Sequence, residues 1–396
     1  MDQAATRATA QTDAATSDAA TARAIRYTRT REVLFVVDLL WGWLVQALLL
    51  GSGSSARLAG LARRLGGGRP WATDALYTVL YSALTLVADL PLAYVRGFAV
   101  EHRFGLSNQR HRDWLADLAK GAALGLAFQA PITTVAYAVI RRSPRWWWLI
   151  LSGLALPFTV LLAQLYPVLI APIFNRFVPV TDAALVERIR ALAARAGVHV
   201  AAVTQMDMSR QTRKANAFFA GLGPTKRIAL GDTLVEQFTP DEIEVIVAHE
   251  LAHQVRRDIW KGVALGSLST LGGAYLLARL AGPLARRLSG RLGFAGIDDV
   301  ASAPLLGLLL SGLSVLAMPF ANAFSRNAVE RPADRYALDL TGRHDAFISA
   351  MQKLARLNLT DPNPPALVKL LLYSHPPVSE RIAAARAHQA RARRGD

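Results

Sequence analysis

The chain has 396 residues, 52% of them hydrophobic, with 45 Lys and Arg against 29 Asp and Glu for a formal charge of +16. Mean hydropathy is +0.25 and only 19% of residues are charged, below the quarter usual in a soluble domain, so the composition points to a membrane protein. There is no cysteine, which excludes a disulfide framework, a thiolate metal site and a cysteine nucleophile and leaves His, Asp and Glu as the only metal ligands.

Residues 1–24 are a low-complexity Ala/Thr/Asp tract with almost no large apolar side chain, and they predict a disordered tail that extends to residue 32. The tract lacks the apolar core of a signal peptide, so the first apolar run, Val33 to Gly51, is expected to stay as an anchor. Further runs at Ala75 to Val100, Gly121 to Ile140, Trp146 to Ile170, Gly262 to Ala281 and Pro304 to Phe324 are each close to the roughly 20 residues that cross a bilayer core as a helix. "RRSPRWWW", Arg141 to Trp148, has the arginine-tryptophan character of a headgroup boundary. Arginines fall in loops on both faces, so the positive-inside rule does not set the orientation. Because they punctuate apolar runs, lipid headgroups are the expected partner of the basic charge and nucleic acid is not. Asp38 and Asp89 lie inside expected spans, where a carboxylate faces a bundle interior or water, or else caps a packed helix.

A polar stretch, residues 179–260, separates the fourth and fifth spans. "TDAALVERIRALAARAG", Thr181 to Gly197, has helical spacing and a glycine stop. "VHVAAVTQMDM" and "KRIALGD" read as strands, and "NAFFAGLGPTKRIALGD" reads as a hairpin around its Gly-Pro turn. The fold class is therefore mainly α: a multi-pass membrane helix bundle with a catalytic domain carrying a small β-sheet. Its expected parts are the tail 1–32, four transmembrane helices over 33–178, the segment 179–260, two more transmembrane helices over 261–325, a helical catalytic segment 326–384 and a frayed basic tail 385–396.

The chemistry concentrates in "FTPDEIEVIVAHELAHQ". Thr239 as N-cap, Pro240 at the first helical position and Glu242 closing a capping box start a helix that carries His249, Glu250 and His253. A spacing of four puts both imidazoles on one face, where they can bind one ion beside Glu250; chance gives this pattern in fewer than about one such chain in a hundred. Catalytic zinc takes three protein ligands and leaves a position for water. The candidate third ligand is Glu330 in "AFSRNAVERPADRYALDL", with Asp334 four residues on to orient a ligand histidine. Pro332 requires the first turn of that helix or a kink. Alone, Glu330 and Asp334 would read as a solvated helix face; beside His249 and His253 they read as a site.

"HELAH", "NAFFAGLGPTKRIALGDTL", "SRNAVERPAD", "SHPPVSERI", "APIFNRFVPV" and "EHRFGLSNQ" together make the chain, from Val33 to Ala384, resemble the CAAX prenyl protease type 1 family of multi-pass membrane zinc endopeptidases. The resemblance implies one zinc ion per chain on His249, His253 and Glu330, with Glu250 as catalytic base. It also implies a zincin-like catalytic domain, and Asn216 and His375 on the substrate or the developing oxyanion with Arg381 supporting His375. Peptide or protein substrates, membrane-associated or prenylated, are implied as well. So are an intramembrane chamber that Asp38 and Asp89 would line and an active site on the cytoplasmic side of the cell membrane. Eukaryotic members are longer, with one more span before the first one here. "KRIALGD" is then the expected strand against which the peptide would pair. A membrane-protein quality-control protease and a non-catalytic scaffold of the same fold are the alternatives, the second opposed by the intact Glu250 and ligand set.

Overall fold

Apolar runs of span length become helices. In the computed structural model, which describes residues 2–221 and 226–394, six helices are long and apolar enough to cross a membrane: Ala19–Gly51, Pro70–Arg103, His111–Arg142, Trp147–Phe174, Asp258–Leu292 and Val300–Thr341. Each covers one of the expected runs, the fourth lacking only its first residue, Trp146, which is the N-cap. Their outer faces leave Leu268, Leu316 and Phe320 exposed, surface that a bilayer covers in place of protein. Pro91, Pro131, Pro157, Pro283 and Pro319 sit inside these helices. Wider π turns occur at Val95–Ala99, Tyr166–Ile170 and Ser325–Glu330.

The expected N-terminal tail is corrected from Ala19 on. One helix runs from Asp2 to Gly51. Beyond Ala19 it is docked: Ala24 and Tyr27 are buried, the Tyr27 ring meets Phe104 edge-on at 5.1 Å, and Arg23 donates to the Phe104 carbonyl at 2.7 Å. Alanine is the best helix former, and a single aromatic anchor ties the segment down. The basic C-terminal tail is corrected likewise, because the helix Val378–Arg394 continues through it with Ala385 fully buried. His388 is held there by Asp339 at 2.7 Å and His344 at 2.8 Å.

Inside the bundle, Asp38 and Asp89 converge on Arg96 of the second span, so each carboxylate has an ion-pair partner. Nearer the other end, Asp74 is buried and paired with Arg141.

The catalytic domain holds a four-stranded sheet of β1 (Phe177–Pro179), β2 (Ala202–Met206), β3 (Ala217–Ala220) and β4 (Arg227–Gly231), in the order β1-β2-β4-β3. β2 and β4 are parallel, with Val203 opposite Ile228; β3 and β4 are antiparallel, with Phe218 opposite Ala229. The expected hairpin is thus β3 with β4, its Gly-Pro turn lying outside the described residues. Gly231 is required where β4 ends: a Cβ there would stand 2.6 Å from Met208 Sδ and 3.0 Å from the Asn216 carbonyl oxygen.

The motif helix, Pro240–Val255, starts with the capping box read from sequence, Glu242 N–H donating to Thr239 Oγ1 at 3.3 Å and Thr239 N–H to Glu242 Oε2 at 2.8 Å. Between the capping box and Ala252 its apolar residues are buried on every side, Val247 and Leu251 completely, which explains its run of consecutive apolar residues. It packs between the helices Ala183–Arg195, Arg331–Thr341 and His344–Leu357. Arg188 and Arg343 both bind Glu244 at 2.8 Å and fix its rotation. At Arg257 the backbone enters the left-handed region (φ 55°), and the chain turns directly into the fifth span.

Candidate metal centre and peptide cleft

His249 and His253 lie one turn apart on the motif helix, ring centroids 4.9 Å apart and planes nearly perpendicular. Glu330 arrives from the sixth span through the π turn Ser325–Glu330, and Pro332 occupies the first turn of the helix that follows, where its missing N–H costs nothing. His249, His253 and Glu330 each offer a ligand atom, all within 4.8 Å of one another. His249 Nε2 stands 3.3 Å from Glu330 Oε2. Two ligands each about 2.0–2.1 Å from one ion in tetrahedral geometry lie roughly 3.4 Å apart, so the spacing fits. Glu330 Oε2 is buried with no hydrogen bond, an orphaned acceptor aimed at another acceptor-capable atom. Such an arrangement suits a cation, and the set of two imidazoles and one carboxylate without thiolate suits a borderline divalent ion.

Each histidine has a carboxylate beside its Nδ1, which leaves Nε2 for an ion. Asp334 Oδ1 is 2.9 Å from His249 Nδ1, and Asp258 Oδ2 is 3.1 Å from His253 Nδ1. Asp258 was missed in the sequence, although it closes the run "HELAHQVRRD" five residues after His253. It is buried, and Lys261 Nζ holds its other oxygen at 2.6 Å. Arg381 lines the same cleft as His375; its guanidinium donates to both oxygens of Asp334, 2.8 Å from Nε, and among the described residues no hydrogen bond joins it to His375.

Burial is the largest influence on the His249 pKa and pulls it down, but Asp334 and Glu330 outweigh it and raise the value to about 9. Burial likewise raises the Glu250 carboxyl above its ordinary range, against the opposing pull of His249 and His253. A more basic carboxylate beside the ligand pair is what a proton-accepting role needs.

A cleft of about 330 Å³ opens beside these groups, and Glu250, Asn216, His375 and Arg381 all line it. His375 reaches in from the loop before the C-terminal helix, its Nε2 3.2 Å from Glu330 Oε2. Asn216 sits at the start of β3, exposed to the cleft. Leu234, Ile246, Met351 and Leu354 make one wall apolar. Buried Arg326, also unread in the sequence, donates to the carbonyls of Lys369, at 2.8 Å, and Tyr373, and Asn322 donates to that of Leu371 at 2.6 Å. Together they cap the helix Ala366–Leu372 and anchor the loop carrying His375.

The expectation that "KRIALGD" presents an edge for peptide pairing is corrected. β4 is flanked by β2 and β3, so both its edges are used. The outer strand on this side is β3, which carries Asn216 at its entrance.

Comparison with known proteins agrees with this architecture. A family model described as peptidase family M48 matches residues 179–389, and one described as CAAX prenyl protease N-terminal, five membrane helices, matches residues 3–176. An uncharacterized metalloprotease, YhfN, of Bacillus subtilis is 32% identical over 90% of this chain and 83% of its own length. CAAX prenyl protease 1 of Saccharomyces cerevisiae is 31% identical over 77% of this chain and 70% of its own. The crystal structure of S. mikatae Ste24p shares the fold, with a TM-score of 0.83 over 93% of this chain and 89% of that one at 24% identity. The chain therefore belongs to peptidase family M48, and it is a multi-pass membrane metalloprotease that acts on peptide or protein substrates.

Proposed function

We propose that this metalloprotease is a zinc-dependent endopeptidase in which His249, His253 and Glu330 hold the metal, Asp334 and Asp258 orient the two imidazoles, and Arg381 fixes Asp334. The observation that carries the reading is the buried Glu330 Oε2, without a hydrogen bond and 3.3 Å from His249 Nε2. A zinc ion bound there would supply Lewis acidity and a water acidified toward neutrality. Glu250, made more basic by burial, takes a proton from the attacking water and delivers it to the leaving amine. Asn216 and His375 reach the cleft from different walls and donate to the carbonyl oxygen as charge develops on it. The outer edge of β3 at Ala217 pairs with the backbone of the peptide.

We further propose membrane-associated substrates, including prenylated C-terminal peptides; the names of the yeast and plant relatives and the apolar cleft wall support this. The resemblance also favours an active site on the cytoplasmic face of the cell membrane. Because the chain lacks cysteine, single cysteines report topology directly. Glu187→Cys on the catalytic domain should be labelled by an impermeant maleimide only after permeabilisation, and Arg64→Cys without it; the reverse pattern would invert the topology.

The test of the catalytic reading is zinc content together with peptide cleavage by the purified protein in detergent. Wild type should hold about one zinc and cleave, whereas Glu250→Gln should keep the metal and lose at least about a hundredfold in rate. A wild type that binds no zinc refutes the reading.

A further inference from the structure

The edge of β3 is not free along its whole length. Asn216 turns its carbonyl toward β4, accepting from Gly231 N–H at 2.9 Å, so its neighbours Ala215 and Ala217 direct their backbone groups to the open side. At Ala215 that side is already filled. Asn358 Oδ1 accepts the Ala215 N–H at 3.0 Å, and Asn358 Nδ2 donates to the Ala215 carbonyl at 3.2 Å. One carboxamide thus satisfies both groups that a neighbouring strand would use.

Asn358 is held in place at some cost. The next residue, Leu359, is one of two non-glycine residues with positive φ among the described residues, at 50°. Leu359 is buried with Ala24, Tyr27 and Phe104, and its carbonyl accepts from Thr28 Oγ1 at 3.1 Å, which in turn accepts the Asp361 N–H at 3.1 Å. The same N-terminal helix also holds the chain ahead of β3, where Lys214 Nζ donates to Tyr27 Oη at 2.8 Å and pairs with Glu101 at 2.9 Å. Backbone strain that the surroundings impose next to a substrate cleft points to function, and no part of the hydrolytic chemistry uses it.

We infer that Asn358 is an end stop for the peptide: a substrate pairs with β3 at Ala217 but cannot continue along the edge past Ala215, so chains that end soon after the scissile bond on that side are preferred. The inference rests on the proposed pairing of substrate with β3. It makes Asn358 a specificity-determining residue, with Leu359 and Thr28 as its positioning residues.

The experiment uses the full-length, zinc-loaded protein in detergent and a short peptide with one mapped cleavage site. Two series lengthen that peptide by several Ala-Ser pairs, one on the amino side of the bond and one on the carboxyl side. Wild type should lose about tenfold or more in kcat/KM for extension on one side and stay within about twofold on the other. In Asn358→Gly the ratio of long to short should approach one on the disfavoured side; a ratio is read because it cancels any general loss of activity. If that variant does not fold, Asn358→Asp, which keeps the acceptor and loses the donor, should shrink the asymmetry. Equal tolerance of both extensions by wild type, or an asymmetry unchanged in the variants, overturns the end stop alone. If wild type cleaves no peptide in either series, the proteolytic reading falls and the end stop with it.

Discussion

Asp258→Asn tests whether the support of the metal site is as the structure draws it. The substitution keeps size and shape but removes the charge that binds His253 Nδ1 at 3.1 Å and Lys261 Nζ at 2.6 Å. Lys261 is part-exposed and can turn to water, so the loss falls on the imidazole and on Arg256, whose Nε is 3.7 Å from the same carboxylate oxygen. A hydrogen bond to a charged partner is worth about 1.5–3 kcal/mol, which corresponds to roughly 10–100-fold in an equilibrium constant. The range measured for removing groups that orient metal ligands is the same, about 10–100-fold in affinity. Competition between the protein and a chelator of known strength, in detergent, reads the affinity. Thermal unfolding of the metal-free protein, measured alongside, separates a weakened site from a damaged fold. Metal affinity within about twofold of wild type, with an unchanged metal-free Tm, would refute the reasoning.

With its pKa raised to about 9, His249 carries a proton before metal arrives, so uptake below that pH must release it and affinity should climb as pH rises. Calorimetry in buffers of different ionisation enthalpy counts that proton; none released at about pH 7 contradicts the assignment. Glu242 is pulled upward in pKa by burial, but hydrogen bonds from Lys353, Ser349 and Thr239 overcome this and place it below its ordinary 4.5. A carboxyl lowered on folding stabilises above its unfolded pKa and loses that contribution as pH falls through its folded one. Glu242→Gln should therefore destabilise by about 1–3 kcal/mol at neutral pH, with the gap closing below about pH 4, as thermal unfolding across pH would show. Arg326→Gln releases the carbonyls of Lys369 and Tyr373 and should lower kcat by about tenfold or more with metal content unchanged, because His375 loses its anchored loop. Equal loss of bound metal would place Arg326 in metal binding instead.

What was legible in the sequence was local. The capping box at Thr239, the spacing of His249 and His253, and the six apolar runs each lie within one helix, where period and propensity act directly. Glu330 was legible because its position at the end of an apolar run survives the π turn. The features that were missed or misread depend on contacts between distant segments. Asn358 acts on Ala215 from 143 positions away, and β4 is an inner strand only because β2 pairs with it. Asp258 is near in sequence, but its role depends on the left-handed turn at Arg257, for which a non-glycine residue gives no sign. The N-terminal tract was misread because scarcity of large apolar residues was weighed without its high alanine content, and because one anchor, Tyr27, meets a partner 77 positions on, Phe104.

The support of the metal centre is continuous with the membrane. The fifth span begins at Asp258, which orients His253, and the sixth span runs through its π turn into Glu330 and Asp334. The proposed ligand Glu330 and the carboxylates of Asp258 and Asp334 are thus mounted on membrane helices, while His249 and His253 stand on a motif helix fixed by the core of the sheet domain. Packed helices slide in small steps rather than deforming continuously, so a shift between the last two spans changes the gap between Glu330 and the histidines directly. Bilayer thickness acts on such shifts, at a cost of fractions of a kcal/mol per ångström of mismatch. Metal affinity should accordingly differ between bilayers of short and long acyl chains, and Asp258→Asn should weaken that dependence because it loosens the link between the fifth span and His253. An affinity that is the same in both lipids would mean that the sheet and the motif helix alone define the site, with the spans serving only as its anchor.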